Sequence, residues 1–136
     1  MRNIDKIVIH CSATPEGRDV QISEIKKWHV EERNWSDIGY HYVVLLDGTL
    51  EIGRPIPRNG AHVKGHNKNS VGIAYVGGTD STGQPKDTRT AQQKFTLKVL
   101  LKTLRSVYPG AKIYGHRDFS SKVCPSFDAK EEYKNL

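Results

Sequence analysis

Two histidines and one cysteine in this chain have the chemistry to hold a catalytic metal ion. His10 ends an apolar run, while His116 and Cys124 lie eight residues apart in one polar segment. Imidazole nitrogen and thiolate sulfur suit Zn²⁺, and three protein ligands leave the fourth tetrahedral position open, as catalytic zinc sites require. Because neighbouring strands can end side by side in a sheet, these residues are candidates for a zinc site.

Each of these three residues also has an ordinary structural interpretation. A single histidine at a strand end is more often a hydrogen-bonded structural residue, and a cysteine before a proline is more often a small buried hydrophobe. The chain has no standard metal motif such as His-Glu-x-x-His or a pair of Cys-x-x-Cys segments. Spacing alone therefore leaves both interpretations open.

The second cysteine, Cys11, is not a candidate ligand. It follows His10 directly, so in an extended strand its side chain points to the opposite face. We expect Cys11 to be reduced, buried and inert.

Tyr40 and Lys122 are candidates for stabilising negative charge. Hydrolysis of an amide builds negative charge on the carbonyl oxygen, which a phenol or an ammonium group held nearby can stabilise. However, aromatic residues are common in strands, and lysines in polar loops usually face water. Taken by themselves, these two residues do not indicate catalysis.

The helices and strands predicted around these residues indicate a fold of the α/β or α+β class. Apolar residues 7–9 predict a buried strand over 6–10, and apolar steps of three and four predict a helix over 22–32. Asp47-Gly48 is typical of a type I′ hairpin, and residues 54–69 have the composition of a long surface loop. A capping box at Thr90 predicts the start of a long helix. Its predicted apolar stripe follows helical steps and consists of Phe95, Leu97, Leu100, Leu101, Leu104 and Tyr108. We expect a mixed central β-sheet flanked by helices.

The composition is typical of one globular unit. At 136 residues the chain is too short for two independent cores, so we expect a single domain over residues 1–136, acting as a monomer. No apolar run approaches the about 20 residues of a membrane span, and the N-terminus lacks the apolar core of a signal peptide, so we expect cytoplasmic synthesis. The net charge of +6 favours polyanionic partners. However, no arginine-rich block or aromatic platform indicates nucleic-acid binding.

Five segments stand in a characteristic order along the chain: 9–14 (IHCSAT), 39–42 (GYHY), 60–67 with 69–73 (GAHVKGHN, NSVGI), 115–118 (GHRD) and 122–128 (KVCPSFD). In order and spacing they resemble the type 2 N-acetylmuramoyl-L-alanine amidases, a family that includes phage lysins and the peptidoglycan recognition proteins. The resemblance runs from His10 to about residue 128, which is nearly the whole chain.

The resemblance implies a zinc ion at the floor of a groove. By position, His10, His116 and Cys124 match the zinc ligands of the family. Tyr40 matches its catalytic tyrosine, and Lys122 matches the lysine that is expected to stabilise the tetrahedral intermediate.

Two further residues, His62 and Asn67, match the segment that lines the substrate groove in relatives. The activity implied is zinc-dependent hydrolysis of the amide between N-acetylmuramic acid and L-alanine in bacterial peptidoglycan. The implied setting is a phage or prophage lysin that acts on the cell wall after its release.

Two alternatives stay open. Family members that only recognise peptidoglycan lack the ligand cysteine, whereas this chain keeps Cys124, which favours an enzyme over a binding module. Some phage relatives also bind an RNA polymerase, but nothing in this sequence shows a polymerase contact, and a family likeness does not carry a second binding surface with it.

Overall fold

A five-stranded mixed sheet forms the framework of the protein, as seen in a computed structural model that describes residues 2–136. The strands are β1 (Lys6–Cys11), β2 (Thr14–Pro15), β3 (Tyr42–Val44), β4 (Leu50–Ile52), β5 (Ser70–Tyr75), β6 (Gly78–Thr79) and β7 (Lys112–Gly115). The main sheet has the order β4-β3-β5-β1-β7, and β2 pairs with β6 separately. Neighbours in the main sheet are parallel except β3 and β4.

Strand β1 lies in the middle of the sheet, between β5 and β7. Its apolar run is fully buried, as expected for a strand covered on both faces. The register with β7 sets Ile9 opposite Gly115. Because the two strands are parallel, the next residues, His10 and His116, lie next to each other at the C-terminal ends of these strands.

Helices cover both faces of the sheet, which confirms the predicted fold class. The helices are α1 (Ile22–Lys27), α2 (Ala91–Val107) and α3 (Ala129–Glu132). The core cluster on one face includes residues of α2 and α3, and a smaller cluster on the other face includes Ile25 of α1. Within residues 2–136, no helix combines the length and apolarity that a bilayer crossing requires.

The longest helix, α2, begins at the predicted capping box. Thr90 Oγ1 accepts the backbone N–H of Gln93 at 3.1 Å, and the Gln93 side chain accepts the N–H of Thr90 at 2.9 Å. In its predicted apolar stripe Leu97, Leu100, Leu101 and Leu104 are buried and Tyr108 is half-buried, whereas Phe95 is 64% exposed. Phe95 lies away from the buried side of the helix, so its inclusion in the stripe was wrong.

The predicted helix over residues 22–32 is an α-helix in its first part and a π-helix in its second part. After α1, the segment Trp28–Glu32 forms a π-helical turn, which is wider than an α-helical turn. Such turns are frequent at functional sites because the extra residue redirects side chains.

The turn between β3 and β4 is not of type I′, so that prediction was wrong. A type I′ turn needs positive φ at both central residues, but only Gly48 has one, at 88°. The Asp47 carboxylate accepts the N–H of Thr49 at 2.9 Å, and Gly48 N–H donates to the Leu45 carbonyl at 2.9 Å. A turn over residues 45–48 that ends on the left-handed glycine therefore connects the hairpin.

The segment 54–69 is only partly the surface loop that its composition predicted. Arg54 is 8% exposed, and its guanidinium donates to the carbonyls of Ile38 at 3.0 Å and Asn59 at 2.8 Å. His62 and Val63 are also buried. A buried guanidinium satisfied by carbonyls fixes the path of this segment across the protein.

A buried arginine ties α3 to the segment before α2. The Arg89 guanidinium forms ion pairs with Asp87 at 2.8 Å and Glu132 at 2.7 Å, and its side chain is only 1% exposed. It also lies 3.4 Å from the ring centroid of Phe127. Since Phe127 closely follows Cys124 in the chain, this cluster helps to place the Cys124 loop.

We predict that Arg89→Ala lowers the free energy of unfolding by about 2 kcal/mol or more, because it removes the cation between two carboxylates in a largely buried position. Urea unfolding followed by circular dichroism measures the change. Lys134→Ala is the control, because it removes an exposed lysine that pairs with Glu131 and should leave stability essentially unchanged. Equal effects of the two substitutions would contradict this role for Arg89.

Candidate active site

The three predicted metal ligands come together at the C-terminal ends of β1 and β7. Their ligand atoms all lie within 4.8 Å of one another. His10 is buried at the end of β1, and His116 begins a short 3₁₀ segment directly after β7. Cys124 lies in the loop that follows, where its sulfur accepts the backbone N–H of Cys11 at 3.1 Å. This cluster has the donor atoms and the spacing to hold a metal ion.

Burial prepares the two imidazoles for metal binding. Desolvation, helped by the neighbouring histidines and Lys122, lowers the pKa of His10 well below its usual value. Desolvation and the Lys122 charge also lower the pKa of His116. Both rings are therefore neutral near pH 7, and a neutral imidazole has the free lone pair that a metal needs.

The Cys124 thiol has a second thiol beside it. A hydrogen bond with Cys11, together with burial, raises the pKa of Cys124 well above its usual range. A bound cation would reverse this direction, because a coordinating thiol is deprotonated outright. Cys11 is 6% exposed and packs in the core cluster beneath α2, so its predicted burial is confirmed.

His62 is held firmly against the candidate ligand His10. Its Nδ1 lies 2.8 Å from His10 Nε2, and its Nε2 lies 3.0 Å from the Ser70 hydroxyl. The ring packs directly over Gly72 of β5, where a Cβ would lie 2.5 Å from the ring. Only glycine at this position leaves space for the imidazole on the face of the sheet.

Asn67 supports the backbone around His62. Its side-chain oxygen accepts the N–H groups of both His62 and Val63 at 2.9 Å. Asn67 also lines the groove. The structure thus places His62 beside the donor cluster and Asn67 in the groove wall, where Asn67 holds the loop.

Tyr40 and Lys122 approach the same cluster from two directions. The Tyr40 ring lies 5.0 Å from the His10 ring, and desolvation raises the pKa of the phenol well above its usual range. Tyr40 therefore keeps its proton and can donate it in a hydrogen bond. Lys122 is exposed in the loop between His116 and Cys124, and its charge acts on both histidines.

An open groove of about 1190 Å³ runs over the cluster. The prediction missed one wall of this groove, which the π-helical segment and the residues after it form. Trp28 and His29, which lie in this π-helical segment, both line the groove, and Trp28 also packs against the core cluster around Ile25. The walls include Trp28, His29, Glu32, Arg33 and Trp35 on the helical side, Ala61, His62, Val63, Lys64 and Asn67 on the loop side, and Phe119, Ser120, Ser121 and Lys122 near the cluster.

The mixed sheet with a His-His-Cys cluster at the floor of an open groove is the arrangement that the resemblance to the amidases and peptidoglycan recognition proteins implied. The family model for N-acetylmuramoyl-L-alanine amidase matches residues 1–127, and the chain belongs to this family. The chain is 46% identical over 126 residues to the endolysin of Enterobacteria phage K11, covering 93% of this chain and 83% of that protein. It is 44% identical to the endolysin of Escherichia phage T7, with the same coverage.

A solved structure supports the same fold. The amidase LysC from Clostridium intestinale superposes with a TM-score of 0.82 and 30% identity, covering 97% of this chain and 83% of LysC. The predicted family and fold class are therefore confirmed.

We predict that the protein loses stability as the pH falls from about 6.5 toward about 4. Desolvation lowers the pKa of His29 and His41 to about 4 and that of His62 to about 3. The unfolded chain then binds more protons than the folded one in this window. The free energy of unfolding should fall by about 1.4 kcal/mol per pH unit for each such histidine.

Urea titrations from about pH 5 to about pH 7.5 measure this slope, and His41→Gln is the matched variant. A glutamine amide can replace the His41 ring at Gly72 N–H and the Arg58 carbonyl. The variant should therefore fold. Its free energy of unfolding should depend less steeply on pH, by the equivalent of about one proton. Equal stability of the wild type at both ends of the pH range would refute the prediction.

Proposed function

We propose that this chain is a zinc-dependent amidase that hydrolyses the bond between N-acetylmuramic acid and L-alanine in peptidoglycan. The observation that carries the proposal is the convergence of His10, His116 and Cys124 at the floor of the groove. Membership of the amidase family and the similarity to phage endolysins support it. We further propose that residues 1–136 act as one monomeric domain in a phage or prophage lysin, on the cell wall after release.

The donor set suits zinc better than the harder divalent metals. One thiol and two neutral imidazoles are borderline-soft donors, whereas Mg²⁺ and Ca²⁺ prefer oxygen ligands. When bound by His10, His116 and Cys124, Zn²⁺ would polarise the scissile carbonyl and acidify the attacking water. The backbone N–H of Cys11 remains a hydrogen-bond donor to the Cys124 sulfur, which stabilises its anionic form.

The residues around the cluster complete the chemistry. Tyr40 keeps its phenolic proton, so its hydroxyl donates a hydrogen bond to the oxygen on which negative charge develops. Lys122 brings a positive charge from the exposed loop to the same oxygen. His62 and Asn67 shape the adjacent groove wall, where they contact the muramoyl peptide. Stabilisation of charge in the transition state, beyond binding of the substrate, is what accelerates the reaction.

We predict that purified peptidoglycan, digested by the zinc-loaded protein, releases stem peptides with a free L-alanine amino group. Mass spectrometry of the products identifies these ends, and elemental analysis should find about one zinc per chain. A chelator should stop the digestion. A module that only binds peptidoglycan would sediment with it and release nothing, and a metal-free protein that still releases peptides would rule out the zinc proposal.

The two cysteines provide the matched variants for this experiment. Cys124→Ser should lose both zinc and hydrolysis, while Cys11→Ser should keep most of each, because only Cys124 is assigned to the metal. Equal loss in the two variants would contradict this assignment.

We predict that Tyr40→Phe and Lys122→Ala each lower kcat by about a hundredfold while zinc stays bound, because both act on the developing oxyanion. Steady-state kinetics on a soluble muramoyl peptide, with zinc content measured on the same samples, separate the two effects. Val123→Ala is a control in the same loop, because its exposed side chain does not line the groove. A variant with normal kcat and a raised KM would assign that residue to substrate binding instead.

A further inference from the structure

Arg2 joins the two ends of the segment that carries His62. Its Nε and Nη2 donate to the carbonyl of Ile56 at 2.8 and 2.6 Å. Its Nη1 donates to the carbonyls of Asn67 at 3.1 Å and Ser70 at 2.9 Å, with a longer bond of 3.3 Å to Lys68. One guanidinium therefore closes a loop of more than ten residues.

The chemistry of this contact is specific to arginine. These five hydrogen bonds end on main-chain carbonyls, and Nη2 also lies 3.1 Å from His41 Nε2, so the contact is mainly a clamp on the backbone and not a salt bridge. A planar guanidinium presents five N–H donors in a fixed geometry. This geometry matches carbonyl groups that converge from two different segments of the chain. A lysine keeps the charge but cannot satisfy carbonyls in two directions from fixed positions.

The backbone that Arg2 holds is the backbone that positions His62. Asn67, whose carbonyl Arg2 binds, uses its side chain to hold the N–H of His62 at 2.9 Å. Ser70, whose carbonyl Arg2 also binds, places its hydroxyl 3.0 Å from His62 Nε2. His62 in turn faces His10 at 2.8 Å. A continuous series of hydrogen bonds thus runs from the N-terminal segment to the floor of the groove.

We infer that Arg2 is a positioning residue for the active site, which fixes the groove wall over residues 56–70 in the conformation that accepts the muramoyl peptide. This inference rests on the proposed function. Arg2 makes no direct hydrogen bond to His10, His116 or Cys124, so it reaches the candidate ligands only through the wall and His62. Its loss should therefore affect substrate affinity more than turnover.

The test compares Arg2→Ala and Arg2→Lys with the wild type. Hydrogen exchange should become faster in residues 56–70 in both variants, while exchange in β1 and in residues 71–75 of β5 stays protected. KM for a soluble muramoyl peptide should rise about fivefold or more, with kcat within about twofold and zinc content unchanged. Arg58→Ala is the control, because it removes an exposed guanidinium from the same segment without removing the clamp.

Chemical rescue separates positioning from a general loss of stability. Methylguanidinium ion, added at constant ionic strength, should lower KM of Arg2→Ala toward the wild-type value and leave KM of Arg58→Ala unchanged. Unchanged exchange over residues 56–70, or a KM within about twofold of wild type, would overturn the inference. So would a uniform rise in exchange throughout the sheet without rescue.

Failure of the proposed function would give a different result. If the wild type hydrolyses nothing, the amidase proposal fails, but exchange over residues 56–70 and calorimetric affinity for the muramoyl peptide still test Arg2. If the wild type hydrolyses and Arg2→Ala changes neither exchange nor KM, only the inference about Arg2 fails.

Discussion

The parallel register between β1 and β7 is the constraint on which the rest of the structure depends. Because Ile9 lies opposite Gly115, His10 and His116 follow at the same edge of the sheet. A slip of one residue would turn His10 to the other face, since side chains alternate along a strand. The apolar run of β1, fully buried on both faces, prevents such a slip.

The same arrangement also desolvates the imidazole rings of the site. The site lies where the sheet, the helical wall and two loops meet, so its imidazoles lose contact with water and stay neutral. His10 Nε2 is instead paired with His62 Nδ1, and His62 Nε2 with the Ser70 hydroxyl, as buried polar groups require. Gly72 contributes by leaving space for His62 on the sheet. The result is a set of rings already oriented before any ligand arrives.

Arginines hold the irregular segments around the groove. Arg54 and Arg2 fix the segment 54–69 through main-chain carbonyls, and Arg89 fixes the region around Phe127 through two carboxylates. Loops lack the repeating hydrogen bonds of helices and strands, so their carbonyls need donors from elsewhere. The guanidinium fork supplies several donors at once, which explains why this residue type recurs at the anchors of the site.

The sequence by itself determined the features that depend on neighbouring residues: the buried strand before His10, the capping box at Thr90 and the donor types of the cluster. The resemblance in motif order also identified His62 as part of the groove wall. Only the tertiary structure decided that Trp28 turns into the groove and that Arg2 clamps the segment 56–70. Periodicity and motif spacing describe short stretches of chain. By contrast, the carbonyls that Arg2 binds lie more than fifty residues away, and packing alone brings them together.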